Sequence, residues 1–184
     1  METFLTGRLF PRMETVDERN WLPAAQNGEL WALEHIYACY QTPLYALCYR
    51  ILGRPEDAED AMQAAFTHAF RALPGFRGEC RIKTWIYRIA VNEALSLLRK
   101  RRPTEPPSET LSLPDSAPDV QRKLAVHAAL ARVRPDYRVA LALHYWEGLS
   151  YEEMTEVLNL SLSAVKMRLN RAREAFRKIY GEEP

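Results

Sequence analysis

Three groups of residues in the 184-residue chain have the types and spacing to bind or to do chemistry. The first is acidic. Asp57, Glu59 and Asp60 fall within one helical turn, off the apolar stripe of Ala58, Ala61, Met62, Ala65, Phe66, Ala69 and Phe70. Carboxylates can hold a metal, but no histidine or matched ligand set accompanies these, and one turn spreads their side chains apart. They suit a basic protein partner, because complementary charge steers association. The plain alternative is a solvated helix start favoured by the helix dipole. The second group interleaves aromatics with cations: Phe76, Arg77, Arg81, Lys83, Trp85, Tyr87 and Arg88. Opened DNA needs cations along its backbone and flat faces or pockets for unstacked bases. Trp85 and Tyr87 also read as core residues. Arg88, Asn92 and Arg99 recur at spacings that allow one helix face for duplex contacts. The run Arg99 to Arg102 either follows phosphate or stabilises a helix C-terminus.

The third group is a basic helix. From Ser163 to Lys178 there are six cations (Lys166, Arg168, Arg171, Arg173, Arg177, Lys178) against one acid, Glu174. Val165, Leu169, Ala172 and Phe176 give the same segment an inward apolar stripe. Before it, Ser150 and Glu153 form a capping-box pattern, and Met154, Val157 and Leu158 supply an apolar face. Asn159 is a C-terminal capping type and Ser161 an N-terminal one. Two capped helices with a short turn, the second basic and outward-facing, predict a DNA-reading helix-turn-helix. Cations on phosphate supply affinity, and Arg or Lys on guanine edges supplies specificity.

These groups sit on helices separated by one marked boundary. Residues 103–120, PTEPPSETLSLPDSAPDV, hold five prolines and four acids with no cation and no aromatic. Proline and its effect on the preceding residue disfavour helix, and the segment has little to bury, so it is expected to be an extended linker. The formal charge of the whole chain is +1. Setting the acidic linker aside leaves +5 on the remainder, so the near-neutral total averages a negative tether with basic surfaces.

Periodicity predicts helices over residues 30–44 (one, or two meeting near Pro43), 58–73, 83–102, 121–132, 136–147, 151–158 and 162–179. Strand-like alternation and internal repeats are absent. The expected fold is all-α: two small helical domains, 24–102 and 121–184, joined by the linker, with 1–23 as a loose arm. Hydrophobic residues make up 47%, which supports packed cores and excludes a disordered chain. With no apolar run long enough to span a membrane and no signal-peptide pattern, a cytoplasmic protein is expected. Cys39, Cys48 and Cys80 are an odd set that reads as reduced thiols, with a redox role conceivable only at Cys80. His35 and Cys39 share a helix face, but a structural zinc site needs about four ligands. No metal and no cofactor is expected. The sequence leaves open whether the two blocks are splayed or packed together.

The segment GRPEDAEDAMQAAFTHAFRALPGFRGECRIKTWIYRIAVNEALSLLRKRR resembles region 2 of the extracytoplasmic-function sigma factors, and the block from Gln121 resembles their region 4. The resemblance implies that Asp57, Glu59, Asp60, Gln63 and Phe66 bind the clamp coiled coil of the largest subunit of core RNA polymerase. It implies that Phe76, Arg77, Lys83, Trp85, Tyr87, Arg88, Asn92 and Arg99 open and read the minus-ten promoter element. Region 4 would sit on the polymerase flap, with Ser163, Lys166, Met167, Arg168, Asn170, Arg171 and Arg173 at the minus-thirty-five element. An anti-sigma factor acting in trans is the implied control, and the polymerase, not this chain, would do the chemistry. Ser96 stands where the family often has Asp. Cys80, Arg81 and Ile82 depart from the usual loop. Ala164 and Met167 replace polar types in the recognition helix, so the promoter sequence does not carry over. The rival readings are a dimeric helix-turn-helix repressor, which has no need of the DAED-to-TWIYRIA block, and a carboxylate-metal hydrolase.

Overall fold

In the computed structural model, residues 18–100 and 118–181 are described; most of the expected linker and arm lies outside them. The described residues form helices joined by short turns, with no strand among them.

The first block begins with α1 (Glu18–Gln26), which buries Trp21 and Ala25. The boundary expected after residue 23 therefore falls inside a helix. Its mixed composition and internal Pro23 hide its periodicity in the sequence. Helix α2 (Leu30–Leu52) runs unbroken through Pro43. Its buried stripe of Ile36, Tyr40, Leu44, Leu47 and Ile51 supplies enough contact to outweigh one lost backbone hydrogen bond. Gly53 ends it in the left-handed region, φ 75°, with its N–H on the Tyr49 carbonyl. That conformation is cheap only for glycine.

Helix α3 (Pro55–Ala72) starts with proline at its first position and Glu56 and Asp57 in its first turn, all favoured at an N-terminus. Ala58, Ala61, Ala65 and Ala69 are at most 1% exposed. These short side chains let α3 lie close between α2 and α4 (Ile82–Lys100), which it packs against on both sides.

The second block holds α5 (Pro118–Arg132), α6 (Pro135–Leu141), α7 (Tyr151–Leu158) and α8 (Leu162–Gly181). The single helix expected over 136–147 is instead α6 followed by a π-helical turn, Ala142–Trp146, closed by the Glu147 N–H on the Ala142 carbonyl at 3.1 Å. Such a turn carries one extra residue and rotates the side chains that follow it. Around α7 the local signals hold. Glu153 N–H reaches Ser150 Oγ at 3.1 Å, and the Ser150 N–H reaches the Glu153 carboxylate at 2.9 Å. Asn159 closes the helix at φ 51°, ψ 54°. Such a cap is worth about 1 kcal/mol.

The two blocks are packed together. Helix α4 lies against α7, and the end of α2 lies against α5 and α6.

Candidate nucleic-acid and partner interfaces

On α3, Glu59, Asp60 and Gln63 are exposed and Asp57 is partly so. Gln63 Nε2 donates to Glu59 at 3.1 Å, which fixes one edge of an acidic surface. Phe66 is not on that surface. It is 4% exposed, with its ring 4.7 Å from Tyr37 and 5.6 Å from Phe70. The family resemblance put Phe66 with the acids; the core claims it, and Tyr37, 39% exposed, is the aromatic that this cluster shows to solvent.

Helix α8 presents its cations outward. Lys166 and Arg171 are exposed, as are Ser163, Met167 and Asn170, while Val165, Leu169 and Ala172 are fully buried. Ser161 accepts from the Ala164 N–H at 3.3 Å, capping the helix where the sequence indicates. Arg168 is half-buried. Arg173 turns inward: Nε donates to Tyr145 Oη at 2.7 Å and a terminal nitrogen to Asn170 Oδ1 at 3.1 Å. Arg173 thereby braces α8 against the turn before α7. Arg173 is partly buried there.

The aromatic-basic segment is divided. Gln26 on α1 donates to the Phe76 carbonyl at 2.7 Å, which ties down the turn that carries Phe76 and Arg77. Phe76 and Trp85 pack with ring centroids 5.0 Å apart and their planes tilted by 44°, both half-buried. Arg77, Asn92 and Arg99 are exposed and Arg88 partly so. Tyr87 is different, being 1% exposed. Its hydroxyl donates to the Glu147 carboxylate at 2.7 Å, and Lys83 Nζ donates to the Glu147 backbone carbonyl at 2.9 Å.

Homology joins these surfaces into one molecule. A model of sigma-70 region 2 matches residues 36–104, and one of sigma-70 region 4 matches residues 123–176. The RNA polymerase sigma-H factor of Pseudomonas aeruginosa is 34% identical, over 83% of this chain and 88% of its own length. The ECF RNA polymerase sigma factor SigM of Mycobacterium tuberculosis is 30% identical, over 87% and 83% respectively. The chain belongs to the extracytoplasmic-function sigma factors. Among solved structures, CnrH in complex with the cytosolic domain of CnrY is similar with a TM-score of 0.72 at 24% identity, over 91% of this chain and 99% of that one. The sigma factor RpoE from Bartonella quintana, solved with the anti-sigma factor NepR, has a TM-score of 0.67 at 22% identity, over 82% and 98%. Both likenesses are of fold.

In this sigma factor, then, the first block is region 2 and the second region 4. No described helix is long and apolar enough to cross a membrane. The residue that sequence reasoning misses is Glu147 of region 4. Its side chain is 7% exposed, and it accepts from Arg50 of region 2 at 3.1 Å as well as from Tyr87. Arg50 also stacks on Trp146, 5.3 Å from the ring centre. Burial pushes the Glu147 carboxyl up, against the opposing pull of Tyr87, Arg50 and Lys83. Burial likewise lowers Arg50, although Glu147 raises it. Desolvation is the largest influence on both groups, and for buried ion pairs its cost commonly offsets the Coulombic gain. The Cys48 thiol is pushed up to about 12, first by burial and then by Glu147, so it is inert at neutral pH.

Arg138 makes a second join. It is 7% exposed and donates to the Ile51 carbonyl at the end of α2, and to the Ala131 and Val133 carbonyls at the end of α5, each at 3.0 Å. One guanidinium thus serves the open carbonyl ends of two helices, where a cation is favoured. Burial lowers it to about 10, still charged at neutral pH.

Proposed function

We propose that this sigma factor divides its work among three surfaces. The acidic face of α3, with Asp57, Glu59, Asp60 and Gln63, docks on a basic surface of core RNA polymerase, the clamp coiled coil of its largest subunit; Phe66 supports that face from the core. The turn and helix carrying Phe76, Arg77, Lys83, Trp85, Tyr87, Arg88, Asn92 and Arg99 open and read the minus-ten element. Helix α8 enters the major groove at the minus-thirty-five element through Ser163, Lys166, Met167, Arg168, Asn170 and Arg171. Arg173 orients that helix from within. Region 4 rests on the polymerase flap, and the acidic linker between the two domains is shorter than the expected 103–120, because α5 already begins at Pro118.

One observation carries the reading: acid and base are segregated onto separate helices, α3 and α8, each exposed over its own buried stripe. Negative charge repels DNA and attracts a basic protein; the basic helix does the reverse. The chain itself makes and breaks no bond in this scheme, and it acts in the cytoplasm beside the polymerase. Control by an anti-sigma factor in trans, within a stress or envelope-response regulon, fits the family, and the fold relative from Bartonella quintana was solved with an anti-sigma factor bound.

Adding the protein to sigma-free core polymerase and promoter DNA is expected to give specific initiation. If the protein fails to retain core polymerase in a pull-down, the proposal is wrong. Duplex binding as a dimer without core would favour a repressor instead.

A further inference from the structure

Helix α8 offers DNA an apolar face as well as cations. Ala164, Met167, Arg168 and Arg171 recur at intervals of three and four and so share one side of the helix. They line an open groove of about 200 Å³ between α8 and the start of α6, which Arg134 and Tyr137 line from the other side. Asp136, the acid on that groove, is taken up by Arg134, with Nε 3.3 Å from Oδ1, and the Arg134 guanidinium lies 5.0 Å from the centre of the Tyr137 ring. Met167 is 50% exposed, more than any other large hydrophobic described on α8. It contributes little to the core below, which Val165, Leu169 and Ala172 fill. The polar side chains beside it are engaged within the helix. Ser163 Oγ lies 3.1 Å from Ser161 Oγ, and Asn170 Oδ1 accepts from Arg173 at 3.1 Å.

Base edges in the major groove differ in one apolar feature: thymine alone carries a methyl group there. Phosphates and polar base edges need donors or acceptors, which an alanine side chain lacks and a methionine sulfur supplies only weakly. We propose that α8 reads a thymine, whose 5-methyl group packs on Met167 and Ala164. The inference rests on the placement of α8 in the major groove at the minus-thirty-five element. Both residues lie in the first two turns of α8, the part of a recognition helix that reaches base edges. Arg134, Arg168 and Arg171 surround the same groove and suit the phosphates beside it, so charge holds the strand and the methyl contact selects within it. Cytosine has a hydrogen in place of the methyl and leaves Met167 facing a gap. One methyl group taken out of water is worth about fourfold in affinity.

Holoenzyme assembled from the full chain and core polymerase selects its sites from randomised duplexes, and footprinting locates the protected upstream segment. In one selected duplex each upstream thymine is replaced in turn by uracil, which lacks only the methyl group. One replacement is expected to weaken binding about fourfold, and uracil outside the protected segment is expected to change nothing. Met167→Gln, of similar length but polar, is expected to bind the thymine and uracil duplexes alike. Met167→Leu, which stays apolar, is expected to keep the preference. Because Met167 is exposed, both variants should melt at the temperature of the unchanged protein. If uracil costs nothing at every upstream position, or if Met167→Gln still discriminates, the inference is overturned. Weakened upstream binding by Arg171→Ala in the same assay then leaves the placement of α8 standing. If Arg171→Ala and Met167→Gln both select and bind the same sites as the unchanged protein, that placement falls together with the inference.

Discussion

Helices α8 and α4 both carry cations at helical spacing, yet they use them in opposite ways. Helix α8 buries an apolar stripe and leaves Lys166 and Arg171 in water. Helix α4 turns Lys83 and Tyr87 into a neighbouring domain, where they hold Glu147. Both helices are net basic, α8 with six cations and α4 with four, and they differ also in what comes to rest against them. A solvent-facing basic helix is ready to meet DNA, whereas α4 keeps Asn92 and Arg99 exposed and has its first turns bonded to the other domain. The contrast lies in exposure: the α8 cations face solvent, whereas Lys83 and Tyr87 of α4 face the other domain.

The largest expected effect breaks the covered side. Arg138→Ala strips partners from carbonyls at the ends of α2 and α5 and leaves a gap beneath them. The loss of stability should be about 2–4 kcal/mol, read as a lower urea midpoint. Arg138→Met fills the gap without the hydrogen bonds and should fall between the two. If alanine is silent, Arg138 does not hold the domains together. On the open side, Arg171→Ala should weaken duplex promoter binding by about 1–3 kcal/mol if it reads a base. If it touches only phosphate, the salt slope should instead fall by about one. Either way the fold should be untouched, as judged by the melting temperature.

A smaller effect tests the scaffold of the open side. Ser150→Ala removes one half of the capping box of α7 and should cost about 1 kcal/mol. Lost stability without changed core binding would confirm that α7 only positions α8.

The smallest effect concerns pH and the covered side. His127 is partly buried against Tyr49, and burial, followed by the charge of Arg50, lowers its pKa from the usual imidazole value. Its charged form is disfavoured in the packed state, so the packed state is fully favoured above about pH 6.5 and loses that advantage as pH falls below it. Glu147 acts in the opposite sense at lower pH. Its raised carboxyl lets the packed state take up a proton more readily as pH nears the carboxylate range. The radius of gyration should therefore grow modestly between about pH 7.5 and 5.5. His127→Gln should flatten that change; an unaltered pH profile would remove His127 from the interface account.

The same contrast explains what was legible in the sequence. The helix-turn-helix was readable because its determinants are local: Ser150 and Glu153 are three residues apart, and Asn159 and Ser161 bracket the turn. The acidic face of α3 was readable for the same reason. Arg138 and Glu147 were not, because their partners lie 87 and 97 residues away along the chain. Nothing near Glu147 in HYWEGLS distinguishes a buried acid bonded to the other domain from an ordinary solvated one. The π turn before it has no sequence signature of its own, and a plain helix was the natural expectation. Phe66 and Tyr87 illustrate the converse. Their types suit a binding surface, and only packing shows that one is core and the other is committed to a neighbouring domain.

The central claim, that acid and base surfaces do separate work, is tested most directly with Asp60→Ala and Arg171→Ala side by side. Each is assayed for retention of sigma-free core polymerase and for binding of the upstream promoter duplex by the resulting holoenzyme. The account predicts that Asp60→Ala weakens core binding, while Arg171→Ala leaves core binding intact and weakens the upstream contact. Identical behaviour of the two variants in both assays would contradict it.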